Sequence, residues 1–339
     1  MEVTDFTTDL PLAGGATLRE ARCRYAVWGR LNAARDNLIL YPTRFGGTHE
    51  QNAFLIGPGM ALDPERWCIV VPNMLGNGAS SSPSNTTGFP MVTHADNIEL
   101  QRRLLTDHFD DAPIALAVGW SMGAQQSYRW AAEEPHRVRR LLTVCGTART
   151  TPHNRVFLEG VLAALSADPR YGSDEAPAAG LKAAGRVYAG WAYSQAWIKR
   201  AAYRESAYRE TFGDFETLED WLEGYWDKLF LARHAGDLTA CARTWMTNDA
   251  ADGGDLAETL GRITAKTLVM TAATDLYFTP ADCREEAAMI PGAEYRDIET
   301  DWGHMCGSGQ SKSDAAVINR AIAELLAEPV THDTAQSAD

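Results

Sequence analysis

Short apolar runs alternate with amphipathic stretches along most of this chain, and their order predicts the fold. Residues 37–41 and 67–71 are short apolar runs of strand length and residues 114–118 are apolar throughout, as interior parallel strands covered on both faces require. Residues 138–145, 267–271 and 293–297 supply further strands. Earlier, residues 18–28 place Leu18, Ala21, Cys23, Tyr25 and Val27 in an imperfect alternation, which predicts an antiparallel edge strand or a hairpin arm. Between the strands lie helical patterns. Residues 94–109 carry Ile98, Leu100, Leu104 and Leu105 at helical spacing, a helix after residue 121 is stopped by Pro135, and residues 281–289 and 314–326 complete the set. Strands alternating with helices predict an α/β fold with a mostly parallel, doubly wound sheet.

Residues 150–261 break that rhythm. They hold no buried strand pattern, many alanines, and Trp191, Trp197, Trp221, Trp226 and Trp245, half of the chain's 10 tryptophans. A helical lid insertion (150–261) on an α/β body (1–149 and 262–327) is expected, with a disordered polar tail at 328–339. The clustered aromatic side chains are expected to form mainly the insertion's own core, with some roofing a pocket or meeting a second copy.

Composition narrows the class of partner. With 31 basic and 45 acidic side chains the net charge is −14, and no basic stripe exists to displace counterions from phosphates, so nucleic acid is excluded. The 6 cysteines show no C-x-x-C pair, so buried, reduced thiols are expected, and no metal site. The start, Met-Glu-Val-Thr-Asp, lacks a signal-peptide pattern, and no apolar run is long enough to span a bilayer. A cytoplasmic protein with no membrane partner is the expectation.

The chemistry centres on Gly119-Trp-Ser-Met-Gly123, which follows the apolar run 114–118 and opens a helix. A G-x-S-x-G turn in that context holds its serine on a sharp strand-to-helix bend, next to unpaired helix N-terminal N–H groups. Ser121 is therefore the candidate nucleophile. A serine hydroxyl needs a base. His304, in the glycine-flanked loop Asp301-Trp-Gly-His-Met-Cys-Gly307 after the last strand, is the candidate. Asp275, just beyond the strand at 267–271, is the candidate acid orienting the imidazole, with Asp301 the runner-up. Serine, acid, histidine is the chain order of the α/β-hydrolase fold. The oxyanion donors expected are the backbone N–H groups of Met122 and of Thr43, Pro42 having none to give. Arg44, Trp120 and Met305, flanking these positions, are candidate substrate contacts. The glycine- and serine-rich loop 73–90 has no lysine and no Walker spacing, which argues against phosphate binding.

With these residues in place, the chain resembles the homoserine O-acetyltransferase family of the α/β-hydrolase fold. The likeness runs through Arg30-Leu-Asn-Ala, Asn37-Leu-Ile-Leu-Tyr-Pro-Thr43, Leu62-Asp-Pro-Glu-Arg-Trp-Cys-Ile-Val-Val-Pro-Asn73, the elbow with Gln126, Thr247-Asn-Asp249, Asp275 and His304. The resemblance implies a Ser121–His304–Asp275 triad, a helical lid and a homodimer formed through it. One departure bears on substrate. Members that acetylate homoserine have an aspartate directly after the catalytic histidine to meet the substrate's ammonium group, whereas this chain has Met305. Burying that ammonium unpaired would cost several kcal/mol. The loop Tyr41-Pro-Thr-Arg44 and the run Gly123-Ala-Gln-Gln126 differ from the acetyltransferases as well. The chain therefore looks more like the branch that hydrolyses short-chain, acetyl-type carboxylic esters, without a cofactor. The alternatives are transfer of an acetyl group from acetyl-CoA, as co-substrate, to a hydroxyl acceptor, and a non-catalytic binding protein on the same fold.

Overall fold

The computed structural model describes residues 1–329, so the tail expected to be disordered lies largely outside the described residues. Eight strands form one sheet: β1 (Glu2–Pro11), β2 (Thr17–Trp28), β3 (Leu38–Leu40), β4 (Cys68–Pro72), β5 (Ile114–Trp120), β6 (Arg140–Val144), β7 (Lys266–Ala272) and β8 (Glu294–Ile298). Their spatial order is β1-β2-β4-β3-β5-β6-β7-β8. The β1–β2 and β2–β4 pairings are antiparallel and the remaining ones parallel. Every residue of β3, β4, β5 and β6 is buried, so both sheet faces are covered there.

Two helices place the central strands. α1 (His94–Phe109) begins at Thr93, whose side chain accepts from the Asp96 N–H while Asp96 caps in return, and it packs against β1, β2 and α2. α2 (Met122–Glu133) follows β5 directly and lies against β5 and β6. The helices Pro280–Met289 and Lys312–Ala327 cover β7–β8 and β6 respectively. Of the two alternatives for residues 18–28, one holds. The strand at residues 18–28 is a hairpin arm but not an edge, because β1 pairs along its outer side. β1 escapes a patterning search because only Phe6 and Leu10 of its ten residues are buried, and the polar positions between them are what an exposed edge uses to discourage further pairing.

Between β6 and β7 the chain runs through helices from Pro152 to Gly261, among them α3 (Pro152–Ser166) and α4 (Ala178–Ala192). The two ends of this segment meet: Arg149 bridges Asp249, and the Thr150 and Ala250 N–H groups donate to Asn248 and Ala148 carbonyls. Glu286 ties the same neck to the body by accepting from the Ala148 and Arg149 amides at 2.6 and 3.0 Å, and burial pushes its carboxyl up to about 8. Inside the segment, Tyr193 stacks on Trp197 at 3.9 Å and Tyr203 on Trp221 at 5.4 Å. Trp197, Trp221, Trp226 and Trp245 are all fully buried, so most of the aromatic set is core. A π-helical turn, Leu222–Asp227, turns Tyr225 and Trp226 toward the central cavity.

Candidate active site

The bend between β5 and α2 leaves no room for side chains on its flanks. A Cβ on Gly119 would lie 2.2 Å from the Gly123 carbonyl, and one on Gly123 would lie 2.6 Å from the Pro42 carbonyl oxygen. Between them Ser121 is held at φ 58°, ψ −128°, a backbone state that costs a non-glycine residue about 1–3 kcal/mol. The packing of Pro42, Gly119 and Gly123 holds that strain in place. It aims the hydroxyl away from the sheet and toward the loop that follows β8.

That loop carries His304, whose Nε2 lies 3.0 Å from Ser121 Oγ. Its Nδ1 lies 2.8 Å from Asp275 Oδ2. The other Asp275 oxygen accepts from the Tyr277 and Phe278 amides at 2.7 and 3.1 Å, which fixes the carboxylate's orientation. Ser121, Asp275 and His304 are all buried. Tyr277, Phe278 and Trp120 surround the imidazole at ring distances of 4.7, 5.5 and 5.0 Å. Asp301 stands apart from this chain of hydrogen bonds and pairs with Arg200 at 2.5 Å.

One expected donor is displaced. The Thr43 N–H donates to the Pro72 carbonyl at 3.2 Å, so it is already engaged in the β3–β4 region. The next amide is available. The Thr43 carbonyl accepts from Gln126 Nε2 at 2.9 Å, on the α2 side. In a trans peptide the N–H points opposite to the C=O, so the Arg44 N–H is turned away from the Gln126 side chain. It has no hydrogen-bond acceptor among the described residues. The Met122 N–H, in the first turn of α2, likewise has no partner within its helix. Gln126, noted in the sequence only as part of a resemblance, thus sets the orientation of the Thr43–Arg44 peptide. Its own carbonyl is held by Gln101 Nε2 at 2.7 Å, and Trp130 Nε1 donates to Gln101 Oε1 at 2.8 Å.

Ser121 and His304 open onto a cavity of about 440 Å³, roofed by Tyr188, Tyr225, Trp226 and Phe230 from the helical segment. Arg44, Trp120 and Met305 all line it. The Arg44 guanidinium sits 4.7 Å over the Trp120 ring. Burial, reinforced by the charge of Arg233, lowers its pKa to about 10. Arg233 reaches in from the helical segment and donates to the Gly46 carbonyl. Gly46 and Gly47 make room for these two side chains, since a Cβ on either would lie 2.6 Å from a guanidinium nitrogen. Neither arginine has a carboxylate within 4.0 Å among the described residues.

All six cysteines are free and buried. Cys145 Sγ lies within 4.8 Å of ligand atoms of Asp275 and His304. Burial holds its thiol well above the usual range, and Asp275 and His304 are already committed to each other. The cluster therefore offers a protonated thiol rather than a thiolate to a cation.

A mostly parallel sheet with a serine elbow at the end of β5, an acid after β7 and a histidine after β8 defines an α/β hydrolase. The alpha/beta hydrolase fold family matches residues 36–306, and the chain belongs to that family. It is 37% identical over 336 residues to an ethyl acetate hydrolase from Pseudomonas veronii, covering 94% of each chain. It also resembles the crystal structure of an acetylester hydrolase from Corynebacterium glutamicum, with a TM-score of 0.91, 34% identity and 96% of each chain covered. A homoserine O-acetyltransferase from Thermobifida fusca is more distant, at 30% identity over 88% of each chain.

Proposed function

We propose that this protein is a carboxylic ester hydrolase that cleaves short-chain, acetyl-type esters through an acyl-serine intermediate. The observation that carries the reading is the continuous relay from Ser121 Oγ to His304 Nε2 and from His304 Nδ1 to Asp275, at 3.0 and 2.8 Å, facing a cavity with an aromatic roof. In the first half-reaction Ser121 Oγ bonds to the ester carbonyl carbon as its proton passes to His304 Nε2. Asp275 keeps the Nδ1 proton in place and stabilises the imidazolium. Charge developing on the carbonyl oxygen is met by the Met122 and Arg44 N–H groups. The C–O bond to the alcohol then breaks, and the alcohol leaves with the proton from His304. Water repeats the sequence on the acyl-serine, releasing the carboxylic acid and restoring Ser121.

Similarity to an ethyl acetate hydrolase and an acetylester hydrolase supports the small acyl group. Transfer from acetyl-CoA to an amino-acid hydroxyl is the second reading, favoured by the homoserine O-acetyltransferase likeness. The cavity's charges oppose it. Met305 occupies the place after His304, Glu50 is the one acid among the described lining residues, and two arginines face inward. An ammonium group there would meet cations rather than a buried carboxylate, whereas a polar or anionic group on the ester would find Arg44. A complete relay in a strained elbow argues against a purely binding role. Six buried, unpaired thiols favour a reducing compartment, so we place the enzyme in the cytoplasm. Among the described residues no helix is long and apolar enough to cross a membrane.

The test of the hydrolase reading compares aryl acetates in water with acetyl-CoA plus homoserine. Steady acetate release from the esters is expected, with no acceptor-dependent release of CoA. CoA release that requires homoserine would reverse the assignment. A second experiment addresses the Arg44 amide. Arg44→Pro deletes the N–H and is expected to lower kcat by about 10²–10³-fold beyond Arg44→Ala, which keeps it. Equal kcat for the two variants would place the second oxyanion donor elsewhere.

A further inference from the structure

The residue preceding the nucleophile touches the loop of the base. Trp120, the last residue of β5, sends its indole Nε1–H to the main-chain carbonyl of His304 at 3.1 Å, in a fully buried contact between positions 184 apart in sequence. The indole and imidazole ring centres lie 5.0 Å apart with planes tilted by 31°. The turn that carries His304, Gly303–Ser308, also rests on the indole: a Cβ on Gly307 would lie 2.3 Å from Trp120 Cδ1 and 2.6 Å from Nε1. The Arg44 guanidinium, 4.7 Å from the ring, adds a further contact to the same side chain.

We infer that Trp120 is a positioning residue that registers the His304 loop against the nucleophile, through its N–H to the His304 carbonyl and its close seat under Gly307. Ser121 is immobilised by the elbow, but His304 sits on a short glycine-bounded turn after β8, and its Nε2 must stay within hydrogen-bond reach of Oγ. Trp120 is covalently next to Ser121, so a bond from its side chain to the His304 main chain measures that separation directly. The indole N–H is already engaged with a protein carbonyl, so it is not free to recognise substrate. Its ring does form part of the cavity wall. Loss of the N–H would leave the His304 carbonyl buried without this partner, which favours a shift of the turn. A displacement of about 1 Å at a reacting group can cost about 10²-fold in rate.

The inference rests on Ser121 acting as the nucleophile, and the experiment separates the two claims. Diisopropyl fluorophosphate phosphorylates an activated serine and makes little demand on the aromatic roof. The second-order labelling rate is measured for the wild type, Ser121→Ala, Trp120→Phe and Gly307→Ala. Trp120→Phe retains an aromatic wall and removes the donor together with part of the indole's volume. Gly307→Ala disturbs the same contact from the other side, which keeps the test valid if either variant folds poorly. Wild-type labelling that vanishes in Ser121→Ala establishes the nucleophile. Both contact variants are then expected to label about 10- to 10²-fold more slowly. Their residual rate should keep climbing with pH, as hydroxide replaces the misplaced base, instead of levelling off. Labelling within twofold of wild type with an unchanged pH profile, even if KM for esters rises, would overturn the role of Trp120 alone. Absence of labelling in the wild type would overturn both claims.

Discussion

Replacing Ser121 with alanine is expected to lower kcat for acetate esters by about 10⁵–10⁶-fold, with KM changed little. The size follows from what the hydroxyl does. It forms the covalent bond that divides ester cleavage into two easier steps, and no neighbouring group can replace it. Cys145, whose Sγ lies within 4.8 Å of ligand atoms of Asp275 and His304, is fully buried, and burial holds its thiol well above the usual range. In serine hydrolases the members of such a relay act as a unit, so removing the nucleophile costs about as much as removing everything, and oxyanion donors alone retain about 10³–10⁴-fold over water. His304→Ala should fall to a similar level, and the double variant no further. Steady-state kinetics with an aryl acetate measures all three. Retention of even a tenth of the wild-type kcat in Ser121→Ala would remove the serine from the chemistry. The aromatic roof is untouched by the change, so fluorescence of Trp226 should still report ligand binding.

Asp275→Asn is expected to lower kcat by about 10⁴-fold without unfolding the protein. Here the local hydrogen bonds decide the outcome. Asp275 Oδ1 is fixed by donors from Tyr277 and Phe278. An asparagine must present its carbonyl oxygen to those amides, because two N–H donors cannot face an NH₂ group. Its NH₂ is then directed at His304 Nδ1, which must become an acceptor. The proton moves to Nε2, where it faces Ser121 and blocks proton acceptance. The side chain keeps its volume and its partners, so thermal stability should change modestly. The check is kcat together with the thermal midpoint. A loss below about tenfold would mean that the carboxylate contributes only packing.

The parts of this structure legible in the sequence are those set by local pattern. β3, β4 and β5 announce themselves because strands buried on both faces are rich in apolar residues, and β6 and β7 do so through their apolar centres at Leu141–Leu142 and Leu268–Met270. α1 spans the residues its spacing predicted, His94–Phe109. The elbow is visible because its glycines, serine and flanking strand are contiguous, and chain order then singles out Asp275 and His304. What pattern reading missed depends on which distant group a polar atom finds. The Thr43 amide reaches the Pro72 carbonyl, and the Arg44 amide does not. Nothing in Tyr41-Pro-Thr-Arg44 distinguishes the two, because the choice is made by β4 and by Gln126 on α2. Likewise, Trp120 reads as an elbow residue and a candidate substrate contact, and its bond to the His304 carbonyl appears only after β5 and the loop beyond β8 are side by side. β1 was missed for the opposite reason. An edge strand buries too little for its pattern to stand out.

The central claim is that an ester's acyl group passes through Ser121 on its way to water. The most direct measurement is acid quenching of wild-type protein during turnover of an aryl acetate, followed by mass analysis of the peptide that contains Ser121. The account predicts one acetyl group on that peptide, located at Ser121, formed within the first turnover and absent from Ser121→Ala. Turnover at the full rate with no acyl group on that peptide, or with the acyl group on another side chain, would contradict it.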